Sequence, residues 1–216
     1  EGEAPRVLQS YAGKSLSLPP EILVPGLGSY PERSHLDSYL RETFTLTTPW
    51  LLCGVAPSVE ELNPVVRERY IHYTGLYKKF IRPVMATCRM YHHSPVSARG
   101  GVTSSPWFAV EFASPDRTKG WATIVRLGVS QSDYYLSPDY SPIFERMKPG
   151  DVGKSETDTY LFKPRGLDPS KTYEVTFDSL GSTVKITGLE LIRDGLPVRL
   201  ESVASSELIL FRAEGG

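Results

Sequence analysis

Trp107-Phe108-Ala109-Val110-Glu111-Phe112 and Trp121-Ala122-Thr123-Ile124-Val125-Arg126-Leu127 are two dense runs of aromatic and β-branched residues. Ser114-Pro115-Asp116-Arg117-Thr118-Lys119-Gly120 lies between them. Such residues favour pleated strands, and a polar connection holding Pro and Gly reverses the chain, so the stretch predicts an antiparallel hairpin. Strand signals continue downstream at Tyr160-Leu161-Phe162-Lys163, at the alternating Tyr173-Glu174-Val175-Thr176-Phe177, and at Thr183-Val184-Lys185-Ile186, which pairs with the latter across residues 178–182. Gly166-Leu167-Asp168-Pro169 is a turn. Leu189 to Arg193 reads as a helical turn closed by Gly195, and Pro197 to Leu200 and Glu207 to Phe211 complete the set. Six or seven short strands at regular spacing predict two packed antiparallel sheets. Residues 128–158, with Tyr134, Tyr135, Tyr140 and Phe144, read as one long irregular stretch, of the kind that is often functional or mobile.

Upstream the period changes from two to about 3.6. Asn63-Pro64 is a helix start, with Asn capping and Pro at the first helical position. Val66, Tyr70, Tyr73, Tyr77 and Phe80 fall on one stripe, with Arg67, Arg69, Lys78 and Lys79 mostly off it, and Pro83 is expected to stop the helix. The tyrosine stripe is what a buried helical face requires and is read as core. Further back, Glu21-Ile22-Leu23-Val24 and Trp50 to Val55 read as buried strands. Gly26 to Arg33 reads as a loop and residues 36–44 as a short helix, together a βαβ-like unit. The fold class is therefore mostly β with a smaller α/β part. The expected division is residues 1–84, a βα segment, and 85–216, an antiparallel β-sandwich.

Composition excludes several functions. The 216 residues carry 24 basic and 25 acidic side chains and a net charge of -1, which gives no electrostatic reason to expect nucleic acid or an anionic membrane as partner. No apolar run reaches the roughly 20 residues that span a bilayer. Glu1-Gly2-Glu3-Ala4-Pro5 has no signal-peptide character, which fits a removed signal or a chain cut from a longer one. Cys53 and Cys88 fit no metal or disulfide pattern and read as two free buried thiols, so the redox compartment stays open. Secreted, periplasmic and cytoplasmic bacterial locations all remain open.

The search for chemistry finds pieces. His35, His72, His92 and His93 have no Cys, Asp or Glu at metal spacing, and the adjacent pair His92-His93 would point to opposite faces of a strand. There is no phosphate loop and no dinucleotide fingerprint, because Gly26-Leu27-Gly28 lacks a third glycine and a helix start. There is no G-x-S-x-G elbow either, so no cofactor, metal or catalytic residue is assigned. Glu32, Asp37 and Glu42 lie in the βα part, but spacing alone cannot pair two carboxyls. Loop aromatics beside charged groups are the remaining signal, since sugar faces stack on rings while Arg and carboxylates hold hydroxyls. Tyr30 near Arg33 and His35 forms one such cluster. Tyr134, Tyr135 and Tyr140 near Asp133 and Asp139 form another, and ordinary half-buried tyrosine remains the alternative for both.

In this order the motifs resemble the C-terminal end of the melibiase-type α-galactosidases, of the family 36-like glycoside hydrolases. In these a (β/α)8 barrel is followed by a β-sandwich. Ile22 to Arg33 (ILVPGLGSYPER) resembles the seventh barrel strand and its loop, and Trp50 to Gly54 (WLLCG) the eighth strand. Asn63 to Pro83, with Tyr77-Lys78-Lys79, resembles the last barrel helix, and Trp107 to Leu127 the first sandwich hairpin. Leu161 to Tyr173 resembles the segment around the family's GLDP turn. Gly188 to Pro197 (GLELIRDGLP) resembles its G-x-E-L-x-x-x-G-L-P segment, and Ser206 to Phe211 the closing strand. Residues 90–102 and 128–158 depart from the pattern.

The resemblance implies a retaining two-carboxylate hydrolase whose two aspartates lie on barrel strands preceding this chain. It carries over no catalytic residue, and no turnover is expected of the chain alone. It does imply that the loops around Tyr30 to His35 and just after Trp50 face a sugar pocket. The candidate carbohydrate-binding residues are thus Tyr30, Glu32, Arg33, His35, Trp50, Tyr134 and Tyr135. The last quarter of a barrel has unpaired edges and uncovered apolar faces. The expected partners are carbohydrate, such as an α-galactoside or plant polysaccharide, and the rest of a barrel or a second copy of the chain. Two alternatives stay open: a stand-alone carbohydrate-binding module, and an interaction domain that dimerises through an apolar patch.

Overall fold

In the computed structural model the described residues are 36–46, 63–93, 107–126, 158–202 and 205–215, with positions 8, 11, 14, 15, 17 and 18. The strands are β1 (Arg89–His92), β2 (Trp107–Ala113), β3 (Lys119–Arg126), β4 (Thr159–Phe162), β5 (Thr172–Phe177), β6 (Ser182–Thr187), β7 (Leu196–Arg199) and β8 (Ser206–Ala213). Six of them form one sheet in the order β1-β2-β3-β8-β5-β6, and β4 and β7 form a two-stranded sheet. Every pairing is antiparallel. The 107–127 hairpin forms as expected, with Trp107 opposite Arg126 and Ala113 opposite Gly120.

Alternation along the central strands divides the core in two. Phe108, Val110 and Phe112 of β2, Trp121 and Val125 of β3 and Leu208 of β8 point to one face. Trp107, Ala109, Ala122, Ile124, Ile209 and Phe211 point to the other. Both sets are buried, so β2 and β3 are covered on both faces. That is why their sequences read as near-continuous apolar runs and not as clean alternation. The second face packs on Phe162, Leu196 and Val198 of the two-stranded sheet and on Leu191 of a short helix, α4 (Gly188–Arg193). Phe112 stacks on Trp121 at 4.9 Å on the first face.

That first face is covered by helices. α1 spans Leu36–Leu46 and α2 spans Pro64–Leu76, continued by a π-helical segment Tyr77–Ile81 and a short α3, Arg82–Met85. Phe80, Ile81, Val84, Met85 and Leu46 join Leu8 and Tyr11 against the sheet. Tyr39, Leu40, Phe44, Tyr70 and Tyr73 form the contact between α1 and α2, so the tyrosine stripe is core as its spacing indicates. The Asn63 side chain accepts from the Val65 N–H, which makes it the expected cap.

Three expectations are refined. Pro83 does not stop the helix: it occupies the first turn of α3. A proline ring collides with the carbonyl four residues earlier and offers no N–H. The π turn removes that conflict by shifting the register, with the Arg82 N–H bonding the Tyr77 carbonyl five residues back. The sheet facing the six strands has two strands among the described residues, and β1, which the sequence pattern does not announce, supplies an edge. Cys88, expected to be buried, is half-buried, and its thiol donates to the Met85 carbonyl at 3.0 Å. Cys53, the expected strands at 21–24 and 50–55, and residues 128–157 lie outside the described residues.

Candidate functional site

Of the buried carboxylates among the described residues, two tie together segments far apart in sequence. The first is Asp178, in the turn after β5. The Arg41 Nε donates to its Oδ2 at 2.9 Å and the Tyr73 hydroxyl donates to the same oxygen at 2.9 Å, while His72 Nε2 lies 2.7 Å from Oδ1. Burial pushes the Asp178 carboxyl up, but the His72 hydrogen bond, the Arg41 charge and the Arg41 and Tyr73 hydrogen bonds outweigh it. The carboxyl is held below the usual carboxylate range. Burial likewise drives the Tyr73 phenol far above its ordinary value, so the hydroxyl stays a donor.

Arg41 belongs to a polar stripe along α1. Ser38 accepts from the Ser206 hydroxyl at 3.0 Å, the Arg41 Nη1 donates to the Ser206 carbonyl at 2.7 Å, and Thr45 meets Thr123 at 2.6 Å. The Trp121 indole N–H donates to the Thr45 carbonyl at 2.8 Å. Positions 38, 41 and 45 share one helical face, so α1 docks on β3 and β8 through hydrogen bonds there and on α2 through Tyr39, Leu40 and Phe44.

The second carboxylate is Glu111, fully buried in β2. Its Oε2 lies 2.8 Å from His93 Nε2 and accepts the Arg165 N–H at 2.8 Å, and its Oε1 accepts the Gly166 N–H at 2.8 Å. The pair holds the Gly166-Leu167-Asp168-Pro169 turn against the sheet. A Cβ at Gly166 would sit 2.6 Å from the Ala113 Cβ and 2.7 Å from the Tyr91 ring, so only glycine lets the turn approach this closely. The neighbouring His92 bonds Ser15 Oγ at 2.8 Å, so the adjacent imidazoles serve different partners.

Beside the Asp178 junction a groove of about 580 Å³ opens between α2 and strands β5, β6 and β8. His72, Gly75, Lys79, Glu174, Thr176 and Arg212 line it.

Asp178 and Glu111 each already accept from three groups, which leaves neither as a free nucleophile or proton donor. No group of three metal-ligating side chains occurs among the described residues. No described helix is long and apolar enough to cross a membrane. The seven residues singled out from sequence, Tyr30, Glu32, Arg33, His35, Trp50, Tyr134 and Tyr135, all lie outside the described residues. Sequence reasoning missed both carboxylate junctions. Glu111 had a signal, a lone charge inside an apolar strand. Asp178 had none, because it reads as an ordinary turn residue.

No family model matches the chain, and no curated protein matches it in sequence. Among solved structures it is similar to the GH36 alpha-galactosidase AgaA of Geobacillus stearothermophilus in complex with raffinose. The identity is 17% and the TM-score 0.49, over 72% of this chain and 17% of that one. It is similar to the alpha-galactosidase of Lactobacillus brevis at 15% identity and a TM-score of 0.45, over 72% of this chain and 18% of that one. It is also similar to the galactosidase domain of the alpha-galactosidase-sucrose kinase AgaSK, at 16% identity and a TM-score of 0.43, over 71% of this chain and 17% of that one. The chain thus spans under a fifth of the length of each.

Proposed function

We propose that this chain is the C-terminal region of an α-galactosidase-like glycoside hydrolase, in which the six-stranded sheet supports the closing helices of a catalytic barrel. The ordered motifs from Ile22 to Phe211 support the reading. One structural observation carries it. The helix bearing Tyr77-Lys78-Lys79 packs through Phe80 and Ile81 into the same buried cluster as Phe108 and Trp121 of the hairpin. A helix that closes a barrel and a sheet that braces it need such a shared core. The polar stripe of α1 adds a second tie, and α1 is the segment between the Tyr30–His35 and Trp50 loops that would face a sugar.

On this reading the chain supplies support and sugar-facing loops, and the two aspartates of the retaining reaction come from upstream strands. The purified 216-residue chain is expected to leave an aryl α-galactoside intact, and measurable turnover overturns the assignment. The native reading frame upstream of Glu1 is expected to encode barrel strands ending in two aspartates. A frame that encodes no barrel overturns it equally.

A further inference from the structure

The groove between α2 and the sheet has a charge balance that the fold does not use. Lys79 enters it from the π-helical segment and Arg212 from β8. Neither makes an ion pair among the described residues, whereas Arg41, Arg69, Lys185, Arg193 and Arg199 each do. Glu174 stands opposite Arg212 on one side and Lys185 on the other, but forms no salt bridge with either, and Lys185 is held by Glu214 at 2.5 Å. Arg212 lies over the Phe80 ring, 5.6 Å from its centroid. Stacking uses the face of a guanidinium and leaves its edge donors for an oxyanion.

Gly75 points the same way. It stands inside α2, where glycine is destabilising relative to alanine, and a Cβ built there meets nothing within 4 Å. Close packing therefore does not require it, and its effect is to keep the groove wall open beside Lys79. At about 580 Å³ the groove is the size of a small-molecule site. The Phe80 ring in its wall is 5% exposed and already covered by Arg212, so that ring offers a sugar face no stacking platform.

We propose that this groove binds a small organic or inorganic oxyanion, a carboxylate or phosphate group held by Lys79 and Arg212. The proposal does not depend on the hydrolase reading. Titration of the 216-residue chain at low ionic strength with inorganic phosphate, galacturonate and galactose tests it. The last two differ at C6, where one carries the carboxylate. At least one anion is expected to bind saturably and more tightly than galactose, and which one it is separates phosphate from carboxylate recognition. Lys79→Gln, at an exposed position, is expected to weaken binding about tenfold, the scale of one lost charge-assisted contact. Glu174→Gln is expected to tighten it by removing the one carboxylate in the groove. Gly75→Ala is expected to weaken binding while raising the melting temperature. Absence of saturable binding by either anion, equal binding of galactose, or a Glu174→Gln change that weakens anion binding overturns the proposal.

Discussion

Arg41 and Asp178, 137 residues apart in the chain, meet at 2.9 Å with side chains only 8% and 6% exposed. Through this contact and its neighbours, α1 is anchored to the turn between β5 and β6. A charge buried this deeply is tolerated because its partner is aligned and further donors fill the remaining positions.

Removing one partner is therefore worse than never having had the pair. Asp178→Ala is expected to lower the unfolding free energy by about 3–5 kcal/mol, because Arg41 stays buried without its counter-charge. Urea denaturation checks this. A loss below about 1 kcal/mol, the level of a surface pair, contradicts the anchoring role.

The depressed Asp178 carboxyl sets the sign of a pH effect. Between its folded value and the ordinary carboxylate value the unfolded chain binds more protons than the folded one. The stabilisation is then complete above the ordinary value and lost as pH falls through the folded one. Asp178→Asn is expected to flatten that acid limb of the stability curve. Melting temperatures between pH 2 and pH 5 on the two proteins, roughly the carboxylate range, measure it.

The Glu111 junction is expected to be sensitive to volume and to charge separately. Gly166→Ala forces a methyl group against Ala113 and Tyr91 and is expected to cost about 1–3 kcal/mol. Glu111→Ala strands the buried Gly166 N–H, at about 1–3 kcal/mol, and removes the acceptor of the part-buried Arg165 N–H. Hydrogen exchange at those two amides should rise in Glu111→Ala, and unchanged protection would show that the carboxylate does not hold the turn.

Helix α4 begins with a capping box. The Thr187 hydroxyl accepts from the Glu190 N–H at 3.2 Å, and the Glu190 carboxylate accepts from the Thr187 N–H at 3.1 Å. Thr187→Ala is expected to cost about 1 kcal/mol, read by chemical denaturation, and Thr187→Ser far less.

Local rules reached most of the elements because local rules govern them. The Asn63 cap, the tyrosine stripe, the 107–127 hairpin and the turn closed by Gly195 each depend on residues within a few positions of one another. The Thr187-x-x-Glu190 box was equally legible and escaped reading. The π turn was not, because proline is read as a stop until the register shift that accommodates it is seen.

The periodicity of two in the last 110 residues or so, and of 3.6 around Tyr70, by itself determined a β-rich chain with one amphipathic helix. Only the tertiary structure decided that the helices cover one face of a single six-stranded sheet, that Arg41 finds Asp178, and that Lys79 and Arg212 share a groove. The physical reason is range. Side-chain alternation and capping act over one to four residues and leave a pattern in sequence. Buried charge pairing acts between groups brought together by packing, and no spacing rule records which of 25 acidic residues a given arginine will meet.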